Sequence, residues 1–87
     1  MRHSKTTTRL YAACQDRFDA WRREHHIRKA THDDIAVYLR TIRRESGASA
    51  VPVHLSALAY TARKAGVPLD TKAAVIRRVV AQCRAEP

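Results

Sequence analysis

The stretch TTTRLYAACQDRFDAWRRE, residues 6–24, decides the fold. Leu10, Cys14, Phe18 and Trp21 recur at intervals of four and three, which places them on one helical face with Tyr11 beside them. That face collects the single Phe and the single Trp of the chain. Large aromatic side chains dominate core burial, so this helix is the expected central packing element. Arg9, Asp16, Arg17, Arg22 and Arg23 fall on its other side, a polar and mainly basic surface. Hydroxyl residues between positions 4 and 8 are available to cap its start.

Working outward, residues 1–5 form a short arm with Arg2, His3 and Lys5, and residues 26–30, HIRKA, lead to a second helix start. There Thr31 is a suitable N-cap, Asp34 stands at the third helical position, and two acids occupy the positive end of the dipole. Ile35, Tyr38, Leu39 and Ile42 share one face, Arg43 and Arg44 fall in the last turn, and Gly47 is a left-handed terminator. A third helix begins near Ser49 and Pro52, since proline in a first turn removes a donor that has no helical partner. Val51, Leu55, Leu58, Ala59 and Ala62 form its apolar stripe, and the alanines at 57 and 59 suggest close helix approach. Residues 66–69, GVPL, make a turn, after which Asp70 or Thr71 is the expected cap of a helix with Val75, Ile76, Val79, Val80 and Cys83 apolar and Arg77, Arg78 and Arg84 opposite. The expected architecture is all-α: a single compact bundle over residues 6–87, with helices at about 6–25, 31–45, 50–65 and 71–84.

Composition narrows the function. The 87 residues make one small domain, and 45% hydrophobic with 29% charged residues describes a folded globule. A formal charge of +9 makes a polyanion, nucleic acid above all, the natural partner class. The charge is uneven: residues 31–46 balance three cations with three acids, while both flanks are basic. No apolar run reaches transmembrane length and the start MRHSK has no signal-peptide segment, so a soluble intracellular protein is expected. Cys14 and Cys83 lie far apart on apolar stripes without a C-x-x-C, as buried free thiols in a reducing compartment would.

Catalytic signals are weak. His25, His26 and His32 cluster around the first loop, but no HxxxH pair joins them and His3 and His54 are remote, so no metal or other cofactor is expected. Tyr11, Tyr38 and Tyr60 sit on or beside apolar stripes, and no nucleophile triad or glycine-rich phosphate loop is present.

With the helices laid out, a family resemblance emerges. Thr8-Arg9-Leu10-Tyr11, Phe18 and Trp21 in the first helix, then Asp34 and Val37-Tyr38-Leu39 in the second, stand in its order and spacing. Ser49, Val51 and His54-Leu55-Ser56-Ala57-Leu58 in the third helix and Ala65-Gly66-Val67-Pro68 after it continue the pattern. Over about residues 4–84 the chain resembles the amino-terminal core-binding (SAM-like) domain of tyrosine recombinases and phage integrases. In that family the domain is a helical bundle forming one half of a clamp around duplex DNA, and a separate carboxy-terminal domain carries the catalytic arginines, histidine and nucleophilic tyrosine. The resemblance therefore implies DNA binding without catalysis on this chain alone, in a bacterial or phage-encoded protein of the cytoplasm and nucleoid. It also implies possible contact with other recombinase protomers on DNA. The helix that many relatives carry before the first is lacking, so the isolated domain is expected to be monomeric.

The positions matching DNA contacts in the family are Thr7, Thr8 and Arg9 in the first helix, and Ser49, Ala50, Val53 and His54 in the third. Hydroxyls and free N–H groups at helix starts suit phosphate oxygens. Arg9 is either a phosphate contact or a bidentate reader of guanine. Ala50 and Val53 offer only contact with a thymine methyl or a sugar. Thr7 and Ser49 are equally plain helix caps, and both roles are compatible. His54 is expected as a surface phosphate contact rather than a core residue, and Lys5, with Arg2 and the basic residues of the fourth helix, as diffuse electrostatic attraction. Two other classes compete: a helical protein-interaction module, and a stand-alone basic regulator with a helix-turn-helix. Against the latter stands the expectation that no two helices are joined by the short turn that motif needs.

Overall fold

The computed structural model of the protein describes residues 5–66 and 69–85, with side chains from 7 to 66 and from 69 to 84. Among these residues there are four helices and no strand: α1 Lys5–Glu24, α2 His32–Ser46, α3 Ala50–Lys64 and α4 Ala74–Ala85. The arm at residues 1–4, the Lys5 side chain and the turn residues Val67 and Pro68 lie outside the described residues.

Each boundary has a local cause. α1 ends at His26, whose φ of 57° is left-handed, and the Ile27 amide reaches back to the Arg22 carbonyl at 2.9 Å. The capping box at Thr31 forms in both directions: the Asp34 amide donates to the Thr31 hydroxyl at 3.2 Å, and the Thr31 amide to the Asp34 carboxylate at 2.9 Å. Gly47, at φ 91°, closes α2 by donating its amide to the Arg43 carbonyl. α4 starts later than its sequence suggests. The Asp70 carboxylate is engaged by the Lys72 amide at 3.0 Å, and the Asp70 carbonyl by the Ala73 amide at 3.2 Å. A turn at 70–73 therefore precedes α4, and the Ala73 carbonyl accepts its first helical bond, from Arg77. Neither Asp70 nor Thr71 is the cap.

The core corrects the expected hierarchy. α1 packs chiefly on α3, whereas α2 lies against both α3 and α4. Covered on two sides, α2 buries Ile35, Ala36, Tyr38, Leu39 and Ile42, while among the described side chains of α1 Cys14 and Phe18 alone are buried. Leu10, expected in the core, is 47% exposed. Val51, Leu58, Ile76, Val79 and Cys83 complete the interior, where each fully buried large aliphatic side chain contributes about 1.5–3 kcal/mol. Ala57 is wholly buried on α3, as expected for close helix approach. A radius of gyration of 12.5 Å matches a fully collapsed chain of this length.

The α2–α3 connection consists of residues 47–49 alone. This three-residue turn, opening with glycine, overturns the expectation that no helix pair is so tightly joined.

Candidate nucleic-acid interface

Antiparallel packing of α1 on α3 decides where the expected contact residues fall. Tyr11 meets Tyr60 with ring centroids 5.4 Å apart, and Cys14 Sγ lies 3.9 Å from His54 Nε2. The start of α1 therefore lies at the end of α3, and Thr8 lines a cleft of about 490 Å³ with Tyr60, Thr61, Lys64 and Ala65. A helix of 15 residues, such as α3, extends roughly 22 Å. Thr7, Thr8 and Arg9 are thus separated from Ser49 and Ala50 by about the length of α3. The structure does not gather them into one patch.

Of the α1 residues, Thr8 and Arg9 are exposed and Thr7 is half-buried. Ser49, just before α3, is exposed, while Ala50 and Val53 on it are half-buried and Ala50 packs against the core. The start of α3 also lacks the free donors expected of it. The Ala50 amide donates to the Gly47 carbonyl and the Val51 amide to the Ala48 carbonyl, both at 3.2 Å, and Pro52 has no amide hydrogen. Ser49 makes no side-chain cap bond, so its hydroxyl remains available.

His54 is the clearest correction. It is 7% exposed, its ring sits edge-on to Tyr38 at 6.1 Å, and its Nδ1 is buried with no hydrogen-bond partner. Burial, and secondarily the Arg17 charge, lower its pKa from the ordinary 6.5, so at neutral pH it is an uncharged core ring and no phosphate ligand. Burial likewise raises the Cys14 thiol, against the opposing pull of Arg17, and pushes the Tyr38 hydroxyl up to about 12. Cys14 and Cys83 are both buried and free. Cys14, Tyr38 and His54 thus form one buried cluster at the α1–α2–α3 junction.

The residues that sequence reasoning underweighted lie where α2, α3 and α4 meet. A cleft of about 240 Å³ is bordered by Ser49 just before α3, by Pro52 in its first turn and by Arg84 from α4. Beside it Arg43 Nε donates to the Cys83 carbonyl at 3.2 Å, tying the two basic helices together. Arg40 likewise donates to Gln82 at 2.6 Å. Arg44, in the last turn of α2, and Arg77, Arg78 and Arg84 on α4 are exposed, and α4 contains no acid. Glu45, the carboxylate next to this corner in sequence, is held by Arg17, which also donates to the Ser46 hydroxyl at 3.2 Å. The signal that would have found Arg84 is tertiary: only the packing of α4 brings it to Ser49.

Among the described residues no group of three His, Cys, Asp or Glu side chains could hold a metal ion, and no helix is long and apolar enough to cross a membrane. His25 lies over Trp21 at 4.6 Å with its Nδ1 2.9 Å from the Trp21 carbonyl oxygen. No protein family, curated protein or solved structure matches the chain.

Proposed function

We propose that the chain binds duplex DNA through the phosphate backbone, as one half of the clamp that a tyrosine recombinase or integrase closes around its site. Two things support this: the core-binding resemblance of the sequence, and the uncapped Ser49 hydroxyl, which shares a cleft with Arg84 and follows the exposed Arg44 across the short α2–α3 turn. A hydroxyl donor flanked by guanidinium groups suits a phosphodiester oxygen, and such contacts position a protein on DNA without reading sequence. In the first half of α3 the exposed side chains are Pro52 and Ser56. A helix with so little polar reach is a poor reader of base edges, so the three-residue turn before it does not make a regulator-type recognition helix. Arg9 and Thr8, at the far end of α3, extend the contact along the duplex rather than completing one pocket. DNA integration or recombination is the process this role serves, the chemistry residing on a catalytic domain.

Fluorescence anisotropy of a labelled 20-bp duplex over a salt series tests the proposal. Affinity is expected to fall linearly in log–log form, and Arg44→Ala with Arg84→Ala to reduce the slope by about 0.9 per lost phosphate contact. Binding whose slope is untouched by this pair, while Arg9→Ala or Arg28→Ala removes it, would overturn the assignment of the corner.

A further inference from the structure

A further recess against α1 lies away from the arginine corner, at the other end of α2 and α3. It has a volume of about 470 Å³ between the second half of α1, the connector to α2 and the end of α3. Phe18, Ile35, Leu58 and Leu69 give it an apolar floor. The charged side chains that line it are Arg22, Arg28, Lys29 and the ionisable His32, and among the described residues no carboxylate does so. Arg22 is a fixed wall: it donates to Asp19 at 2.8 Å and to the Arg28 carbonyl at 2.7 Å, and its guanidinium carbon stands 5.6 Å from the Phe18 ring centre. Its Nε is buried without a partner. Arg28 and Lys29 are exposed, with no side-chain partner among the described residues.

From this combination we infer that the groove is a docking site for an acidic peptide segment of a partner protein, inserted by a bulky apolar side chain. Charge complementarity selects the occupant. A second copy of the chain brings +9 toward a rim that is already cationic, so self-docking is opposed. Duplex DNA satisfies the rim but has no flexible apolar group for the floor. An acidic helix with large hydrophobes three or four residues apart satisfies both, with the anchors giving affinity and the carboxylates giving orientation and on-rate. The groove and the Ser49–Arg84 corner lie at opposite ends of α3, so a partner seated in one leaves the other open. Docking in the groove does not depend on DNA binding at the corner.

The test is an NMR titration of the ¹⁵N-labelled full chain with a synthetic acidic 14-residue peptide carrying Leu and Trp anchors. Parallel titrations use the same peptide with both anchors replaced by Ala, its Lys-for-Glu counterpart, and dodecanoate. Shifts are expected at Lys29, Leu58, Ala62 and Leu69 with the acidic anchored peptide, and about tenfold weaker binding with either altered peptide. Arg28→Glu with Lys29→Glu, both at exposed positions, is expected to weaken binding similarly while leaving the helical circular dichroism unchanged. Equal binding of the anchor-free peptide, shifts confined to α4, or binding of dodecanoate with none of the peptide would overturn the proposal.

Discussion

At the scale of single residues, His54 shows how a polar side chain changes meaning with its surroundings. Its ring fills the α1–α2–α3 junction between Cys14 and Tyr38, and its Nδ1 goes without a partner. An unmet buried donor or acceptor costs about 1–3 kcal/mol, and a charged ring would cost more, which is why its pKa is lowered. The consequence for stability has a definite sign. Above its ordinary pKa of 6.5 the ring is neutral folded and unfolded, and pH has no leverage through it. Below that value the unfolded chain takes up a proton that the folded chain resists, so stability falls with pH, by at most about 1.4 kcal/mol per pH unit for one proton. Urea unfolding at pH 7.5 and pH 5.0 is expected to show a larger drop for the parent than for His54→Leu, since the comparison cancels every other titrating group. Equal drops would mean that position 54 is not the source.

At the scale of elements, what was legible depended on whether the cause was local. The capping box at Thr31, the glycine stop at Gly47 and the tolerated Pro52 are contacts within a turn, and the structure reproduces all three. The late start of α4 was not legible, because the Asp70 carboxylate is a good cap in sequence and is diverted to a turn in the fold. The rank of α1 was misread for a different reason: helical periodicity reports that a face is apolar, not how many neighbours cover it. Candidate contact residues suffered most, because the family pattern names positions while only the antiparallel α1–α3 packing reveals that Thr8 and Ser49 lie at opposite ends. Termination of α1 at His26 carries a prediction of its own. The left-handed backbone there costs a non-glycine residue about 1–2 kcal/mol, offset in part for glycine by its larger unfolded-state entropy. His26→Gly is thus expected to raise stability by roughly 0.5–1 kcal/mol, and His26→Val, β-branched, to lower it by about 1 kcal/mol. Thermal melts of both variants check this, and a glycine variant that melts below the parent would show that the His26 side chain contributes more than its backbone costs.

At the scale of the whole molecule, a charge of +9 on 87 residues governs the electrostatics. Two ion pairs, Arg17–Glu45 and Arg22–Asp19, form among the described residues, each with an arginine of α1 and both partly exposed. Exposed pairs contribute about 0–1 kcal/mol each, whereas the exposed arginines of α2 and α4 repel one another across the seam that Arg40 and Arg43 bind together. Salt screens such repulsion, with a Debye length of about 8 Å at 0.15 M. Net self-repulsion is therefore expected to outweigh the local pairs, and the melting temperature to rise by a few degrees between 20 mM and 300 mM sodium chloride. A polyanion bound to the folded state alone stabilises it further by mass action, but salt competes with that binding. The two effects separate cleanly: without DNA the melting temperature climbs with salt, and with saturating duplex it starts higher and declines as salt displaces the ligand. Crossing curves of this kind tie the excess charge to a polyanion partner. Curves that fall with salt in both cases would mean that the ion pairs of α1, rather than the arginine seam, govern the electrostatics of the fold.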